Sequence, residues 1–146
     1  MTKDEVIEVA RKAHKQFWKA TSDESTGDKQ ATAVVSAWQR QVLSRDSATY
    51  KKEVPIFAGS RVRIDLIDLA DGVAYEIKAS GKNPHHEFFK DIFKVITYNH
   101  QNRDKINKLV FLSEKQGIEK LKQNDLAKAV VESSKDFGVE IELASL

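Results

Sequence analysis

Apolar side chains recur at two different spacings along this chain, and the change between them separates predicted helices from predicted strands. Steps of three and four residues over 3–20 and 29–44 are typical of amphipathic helices. The polar stretch 21–28 between them predicts a loop. From residue 50 onward β-branched and aromatic residues alternate with polar ones, which predicts strands at 51–57, 61–69 and 73–79.

The remainder of the chain returns to helical spacing and adds two further strands. Residues 85–99 predict a helix with a strongly apolar face, and the run at 108–112 predicts a strand buried on both faces. A helical pattern over 114–136, with a break near Asn124, precedes a last strand at 139–143. This order predicts an α/β fold in which helices flank a mixed β-sheet of about five strands, all within one domain over residues 1–146.

The dipeptide Asp71-Gly72 predicts a tight hairpin between the second and third strands. With these two residues at the centre of the turn, Asp65 lies directly across from Lys78 and one diagonal step from Glu76. Glu76 and Lys78 share a face of their strand because side chains alternate between the two faces. The pattern therefore gathers two carboxylates and an ammonium on one face, whereas a loop one residue longer would scatter them.

Composition narrows the chemistry that this cluster can perform. The chain has 146 residues and no cysteine, which excludes thiol nucleophiles and thiolate metal sites. Its 24 Lys and Arg against 22 Asp and Glu give a net charge of +2, too mild to identify a nucleic-acid binder by itself. Charged residues interrupt every apolar stretch, so we expect no signal peptide, no membrane span and a cytoplasmic location.

Two carboxylates and a backbone carbonyl are oxygen donors that suit Mg²⁺ or Mn²⁺. A neighbouring lysine can orient an attacking water or stabilise charge on a phosphate, as hydrolysis of a phosphodiester requires. The competing interpretation is a solvated patch of ion pairs worth under about 1 kcal/mol each. Asp68 has the other parity in its strand, so we expect it to be a surface residue.

Ile64-Asp65, with Glu76-Ile77-Lys78 following on the next strand of the hairpin, resembles the PD-(D/E)XK nuclease superfamily. The resemblance covers residues 30–112 and implies a restriction-endonuclease-like αβββαβ core. It also implies that Asp65, Glu76 and the carbonyl of Ile77 bind the metal, and that Lys78 is the catalytic lysine. The function so implied is a metal-dependent endonuclease, with DNA favoured as the substrate.

The resemblance is incomplete at two places. Ile64 stands where the motif has proline, a position that is not a metal ligand. Many members carry a glutamate on the helix before the first strand, where this chain offers Gln39 and Gln41 instead. Three acids elsewhere are alternative candidates for that extra carboxylate: Glu53, Glu5 and Glu8.

Basic residues around the predicted cluster are candidates for contact with nucleic-acid phosphates: Arg61, Arg63, Lys82, Lys90 and Lys94. Arg63 could equally form a salt bridge to Asp65. The lysines could equally belong to a helix face that is merely solvated. Cutting both strands symmetrically calls for a two-fold dimer, with the helix at 114–136 as its candidate interface. Two alternative functions fit the same fold: an RNase or tRNase toxin module, and a nucleic-acid-binding or complex subunit without catalysis.

Overall fold

Five strands form one open mixed sheet in which the order in space follows the order along the chain. The computed structural model describes residues 1–19 and 23–146. Its elements are α1 (Lys3–Phe17), α2 (Glu24–Arg45), β1 (Tyr50–Pro55), β2 (Arg63–Asp68), β3 (Val73–Lys78), α3 (His85–Gln101), β4 (Lys108–Ser113), α4 (Lys115–Gln123), α5 (Asp125–Ser134) and β5 (Glu140–Ser145). Strands β1, β2 and β3 pair antiparallel, whereas β4 pairs parallel with both β3 and β5. The predicted α/β class and mixed sheet are confirmed.

Helices cover both faces of this sheet and bury a separate apolar core on each. On one face α1 and α2 bring Val6, Val34 and Trp38 against Tyr75 and Val110 of the sheet. On the other face Phe88 and Ile92 of α3 lie with α4 and α5 against Leu109 and Phe111. Strand β4 supplies alternate side chains to both cores, which confirms the prediction of a strand buried on both faces.

The two N-terminal helices have different limits from those predicted. Helix α1 ends at Phe17, where the backbone N–H of Trp18 closes the last turn on His14. Helix α2 begins at Glu24, five positions earlier than predicted, and includes the polar residues that indicated a loop. The amide of Gly27 already donates to the carbonyl of Asp23, so a hydrogen-bonded turn overrides the local composition. Asp23 is the N-cap of this helix, and residues 20, 21 and 22 lie outside the described residues.

The predicted break in the helical segment 114–136 is confirmed. Asn124 separates α4 from α5, and its side chain accepts a hydrogen bond of 2.9 Å from the amide of Ala127. A short 3-10 turn, Lys135–Phe137, and Gly138 with φ +75 then lead into β5. Leu126 is exposed on this segment, and the homodimer interface expected here stays a prediction.

The turn between β2 and β3 is longer than the two-residue hairpin predicted from Asp71-Gly72. Leu66 pairs with Tyr75 and Asp68 pairs with Val73, so four residues lie between the paired ends of the strands. The change moves the register by two positions, which leaves every side chain on its predicted face. By continuation of this register, Asp65 lies opposite Glu76 and not opposite Lys78.

Asp68 is the physical reason for the longer turn. Its Oδ1 accepts hydrogen bonds from the amides of Ala70 and Asp71, at 2.9 and 3.1 Å. This side-chain cap is buried, so the prediction that Asp68 is a surface residue is wrong. Gly72 follows with φ +64, and its carbonyl accepts from the amide of Asn107 at the entry to β4.

Within residues 1–19 and 23–146, the helices are too short or too polar to cross a bilayer.

Gly72→Ala should destabilise the fold more than Gly59→Ala. Both glycines have positive φ, but a Cβ at Gly72 would lie 2.7 Å from the carbonyl oxygen of Lys105, whereas a Cβ at Gly59 meets nothing within 4 Å. Backbone strain alone costs about 1–2 kcal/mol, so we expect Gly59→Ala to lose about that much and Gly72→Ala at least about 1 kcal/mol more. Urea unfolding measures both; equal losses would contradict the close packing of this turn.

Candidate active site

Asp65 and Glu76 meet where β2 and β3 move apart. The last pair of the ladder on this side is Leu66 with Tyr75. Beyond it the side chains replace the ladder, since Asp65 Oδ2 accepts from the amide of Ile77 at 3.0 Å. Glu76 Oε1 in turn accepts a long hydrogen bond of 3.4 Å from the amide of Asp65. The two carboxylates therefore occupy the opening between the strands.

A buried lysine and a third carboxylate from α3 complete this cluster. Lys94 Nζ lies 3.0 Å from Glu76 Oε1 and 2.9 Å from Asp91 Oδ1. The exposed fractions of Glu76 and Lys94 are 2% and 8%. The prediction that Lys94 contacts nucleic acid is therefore wrong, because its ammonium is buried and paired with the carboxylates of Glu76 and Asp91.

The positions of Asp91 and Lys94 along α3 indicate that both side chains are buried. Phe88, Val95 and Tyr98 form its buried stripe, and Asp91 and Lys94 fall at helical steps within that stripe. Charged residues at core positions of a helix are almost always paired when they are buried. Asp91 was missed because only the apolar members of the stripe were considered.

Burial dominates the ionisation of the acids in the cluster. It raises the pKa of Asp65, and it raises the pKa of Glu76 well above the usual range, with further repulsion from Asp65 and Asp91. Burial also raises the pKa of Asp91 to about 7. For Lys94, burial alone would lower the pKa, but the carboxylates of Glu76 and Asp91 outweigh it and raise the pKa above the ordinary value.

Gln39 of α2 and Glu53 of β1 border the carboxylate pair on its other side. Gln39 Nε2 donates to Glu53 Oε1 and to the carbonyl oxygen of Asp65, both at 2.8 Å. Glu53 adopts φ +50, an uncommon backbone conformation for a residue with a side chain, and its charge repels that of Asp65. The glutamine in place of the expected acid thus ties Glu53 to the strand that carries Asp65.

The other two candidates for an extra acid lie elsewhere. Glu5 caps α1, where its Oε2 accepts from the amide of Thr2 at 2.7 Å. Glu8 is exposed and lies 3.7 Å from Arg11. Each of these two acids is therefore engaged by a neighbour on α1 or at its cap, and its role as an extra carboxylate stays a prediction.

Lys78 lies two positions after Glu76, on the same face of β3, and lines a groove of about 650 Å³. Ile77 and Lys82 also line this groove, as do the acids Glu24 and Asp28 at the start of α2. Its lining does not include Asp65 or Glu76. The structure thus brings the two acids together and places the lysine next to them along the strand, facing a separate opening.

Glu114 holds the segment that follows Lys78. Its Oε1 accepts from Trp18 Nε1 at 2.7 Å, and its Oε2 accepts from the amide of Gly81 at 2.9 Å. His14 Nε2 lies 2.9 Å from the carbonyl oxygen of Ala79, which requires the proton to be on that nitrogen. These contacts fasten the end of β3 to α1 and α4, and no local sequence pattern pointed to Glu114.

Four of the predicted phosphate contacts remain exposed: Arg61, Arg63, Lys82 and Lys90. Arg63 Nη1 donates to the carbonyl oxygen of Glu53 at 2.8 Å, which replaces the suggested salt bridge to Asp65. Lys90 lies 4.0 Å from Glu87 on the surface of α3. These side chains are therefore accessible, and their contact with nucleic acid stays a prediction.

The carboxylate oxygens of Asp65 and Glu76 are the kind of ligand that a hard divalent cation prefers, but they are few in number. Among the described residues, no three His, Cys, Asp or Glu side chains are gathered as a metal-binding group. Mg²⁺ commonly uses only one or two carboxylates and keeps several waters. Asp91 Oδ1 lies 2.9 Å from Lys94 Nζ, so the ammonium already pairs with this oxygen.

Comparison of the chain with known protein families, curated proteins and solved structures finds no match. The functional interpretation therefore depends on the geometry of Asp65, Glu76 and their neighbours. That geometry is a pair of buried acids with raised pKa values, at the end of the β-hairpin where β2 and β3 diverge.

The parent protein should lose stability relative to Asp91→Asn as the pH rises. The folded state holds a proton on Asp91 up to about pH 7, whereas the unfolded chain releases it near about pH 4. Unfolding therefore releases a proton between these values, so the free energy of unfolding falls as pH rises through the window, by about 4 kcal/mol in all. Urea unfolding in EDTA at several pH values measures it. If the difference in the free energy of unfolding between parent and variant is the same at every pH, the raised pKa of Asp91 is refuted.

Proposed function

We propose that this chain is a metal-dependent nuclease that hydrolyses phosphodiester bonds, with Asp65 and Glu76 as its metal-binding carboxylates. The observation that carries the proposal is the meeting of these two acids at the point where β2 and β3 separate. Buried acids with strongly perturbed pKa values are characteristic of sites that bind or react. A merely solvated ion pair would have no need of such burial.

The order and pairing of the elements support a restriction-endonuclease-like core. From α2 to β4 the chain runs helix, three antiparallel strands, helix and a strand parallel to the third. This is the αβββαβ order that the PD-(D/E)XK resemblance implies. The motif residues then lie on the second and third strands, where that resemblance expects them.

In this proposal Asp65, Glu76 and the carbonyl of Ile77 would hold Mg²⁺ or Mn²⁺. The ion, when bound, would neutralise phosphate charge and lower the pKa of a water ligand. Lys78, which faces the groove, would hold a phosphate oxygen or orient the attacking water. Lys94 keeps the charges of Glu76 and Asp91 balanced inside the protein. Burial raises the pKa values of Asp65 and Glu76, so metal binding would strengthen as pH rises.

One observation favours a second candidate, a nucleic-acid-binding module without catalysis. The ammonium of Lys94 already neutralises Glu76, and breaking this buried pair costs free energy. If that pair persists in the presence of Mg²⁺, the acids are structural. Incubation of plasmid, single-stranded DNA and tRNA side by side with Mg²⁺ separates the candidates, since tRNA cleavage alone would favour the RNase toxin and cleavage of none would favour the binding module.

Asp65→Asn and Glu76→Gln should each abolish metal binding and cleavage, because each removes a charged oxygen ligand from a site that has few. The amide replacements keep the shape of the side chain, but Glu76→Gln removes one partner of the buried pair with Lys94, so thermal melts accompany both variants. Asp71→Asn is the matched control, since Asp71 is an exposed acid on the same hairpin. Calorimetric Mn²⁺ titration and cleavage in Mg²⁺ are the measurements. Cleavage that survives both variants, or persists in EDTA, would end the proposal.

Lys78→Ala should spare metal binding and reduce cleavage by about 100-fold or more. The lysine acts on the water and the phosphate, and its own charge opposes the cation. Lys128→Ala, an exposed lysine of α5, serves as the control. Single-turnover cleavage and Mn²⁺ titration on the same preparations distinguish the roles. An unchanged rate in Lys78→Ala would remove this residue from the mechanism.

A further inference from the structure

The turn between β1 and β2 presents apolar and basic side chains together. Phe57 and Val62 are 44% and 41% exposed, although both are large apolar residues. Arg61 and Arg63 are exposed beside them. We refer to residues 56–63 as the hairpin tip.

The hairpin tip is fixed at its base, so the exposure of Phe57 is a defined feature of the fold. Ile56 is buried in the core beneath α3, and its carbonyl accepts from Asn102 Nδ2 at 3.2 Å. Within the turn, the amide of Ser60 donates to the carbonyl of Phe57 at 3.0 Å. Ser60 Oγ accepts from the amide of Val62 at 3.1 Å. The backbone is thus held by its own hydrogen bonds while the ring of Phe57 remains in solvent.

The chemistry of the hairpin tip selects a ligand that has both flat apolar faces and negative charge. Its sequence, IFAGSRVR, contains two arginines and no acid. Arginine binds phosphate in a bidentate manner, and an exposed aromatic ring stacks on an unpaired base. Single-stranded nucleic acid offers both features along one strand, whereas the bases of a duplex are already stacked on each other. Charge complementarity therefore favours an unpaired nucleic acid over an apolar protein surface.

The hairpin tip also leads directly to the candidate active site. Val62 precedes Asp65 by three positions, a distance of about 10 Å along an extended strand. Arg63 Nη1 is bonded to the carbonyl oxygen of Glu53, which joins the tip to the border of the carboxylate pair. The groove beyond Lys78 combines Lys78 and Lys82 with acids such as Glu24 and Asp28, whereas the hairpin tip carries no acid. A polyanion thus meets a more favourable charge at the tip.

We propose that the hairpin tip binds single-stranded nucleic acid, with Phe57 stacked on an unpaired base and Arg61 and Arg63 on the flanking phosphates. This inference rests on the proposed function, because it assigns the tip to holding the substrate strand beside Asp65 and Glu76. It specifies the substrate class as nucleic acid with unpaired nucleotides next to the scissile bond.

The test is fluorescence anisotropy in EDTA, so that binding is measured without cleavage. A short labelled DNA strand, the matching RNA strand and a blunt DNA duplex are the probes. Phe57→Ala should weaken single-strand binding about tenfold or more, and Phe57→Trp should preserve it because indole also stacks. Phe93→Ala is the matched control, since Phe93 is an exposed phenylalanine, 68% accessible, on α3 and outside the hairpin tip. Thermal melts establish that the variants remain folded.

Salt dependence separates stacking from charge. Arg61→Ala should reduce the slope of log affinity against log salt by about one, because it removes one phosphate contact. Phe57→Ala should weaken binding at every salt concentration and leave the slope unchanged. A loss of slope in Phe57→Ala would contradict the stacking role.

The inference is overturned by equal affinity of Phe57→Ala and the parent for the single strand, or by a loss in Phe93→Ala that equals the loss in Phe57→Ala. Tighter binding of the duplex than of the single strands also contradicts it. The proposed nuclease is judged separately. Cleavage in Mg²⁺ with no effect of Phe57→Ala on binding rejects only the hairpin tip, whereas Phe57-dependent binding without cleavage rejects only the nuclease.

Discussion

The burial of Glu76 is the constraint from which the rest of the site follows. A carboxyl group in the middle of a five-stranded sheet, 2% exposed, is costly unless it is neutralised or paired. Lys94 supplies the opposite charge from α3, and burial raises the pKa of Glu76 and of Asp91. Replacing a whole buried ion pair by apolar residues is often neutral or stabilising. A structure that keeps it therefore bears a cost that stability alone does not require.

The turn at Asp68 connects this constraint to the hairpin. Because Asp68 caps a four-residue connection, β2 and β3 come into the register that sets Asp65 against Glu76. The strands then diverge, and the carboxyl groups form hydrogen bonds to the backbone in place of the ladder. Gln39 and Glu53 close the cluster on the side of α2 and β1. A capping interaction at one end of the hairpin thus positions charges at the other.

The sequence predicted the features that depend on periodicity. The order of the elements, the break at Asn124, the buried β4 and the shared face of Glu76 and Lys78 all follow from apolar spacing. The register of β2 and β3 does not follow from apolar spacing. It depends on the hydrogen bonds of the Asp68 side chain, which have no periodic pattern in the sequence. Lys94 was misjudged for a related reason. Whether a lysine on a helix faces solvent or a buried acid depends on a residue of another strand, and only the fold brings the two together.

The agreement between strand order and chain order has a consequence for how the protein folds. Every strand pairs with its predecessor, so no pairing in the sheet joins residues more than about 35 positions apart. Short loops close at small entropic cost, and the sheet can grow one strand at a time from the β1–β2–β3 meander. The exception is α1, whose Lys3 and Arg11 contact Glu142 and Ser145 of the last strand. We therefore expect the first helix to dock last, once β5 has joined the growing edge.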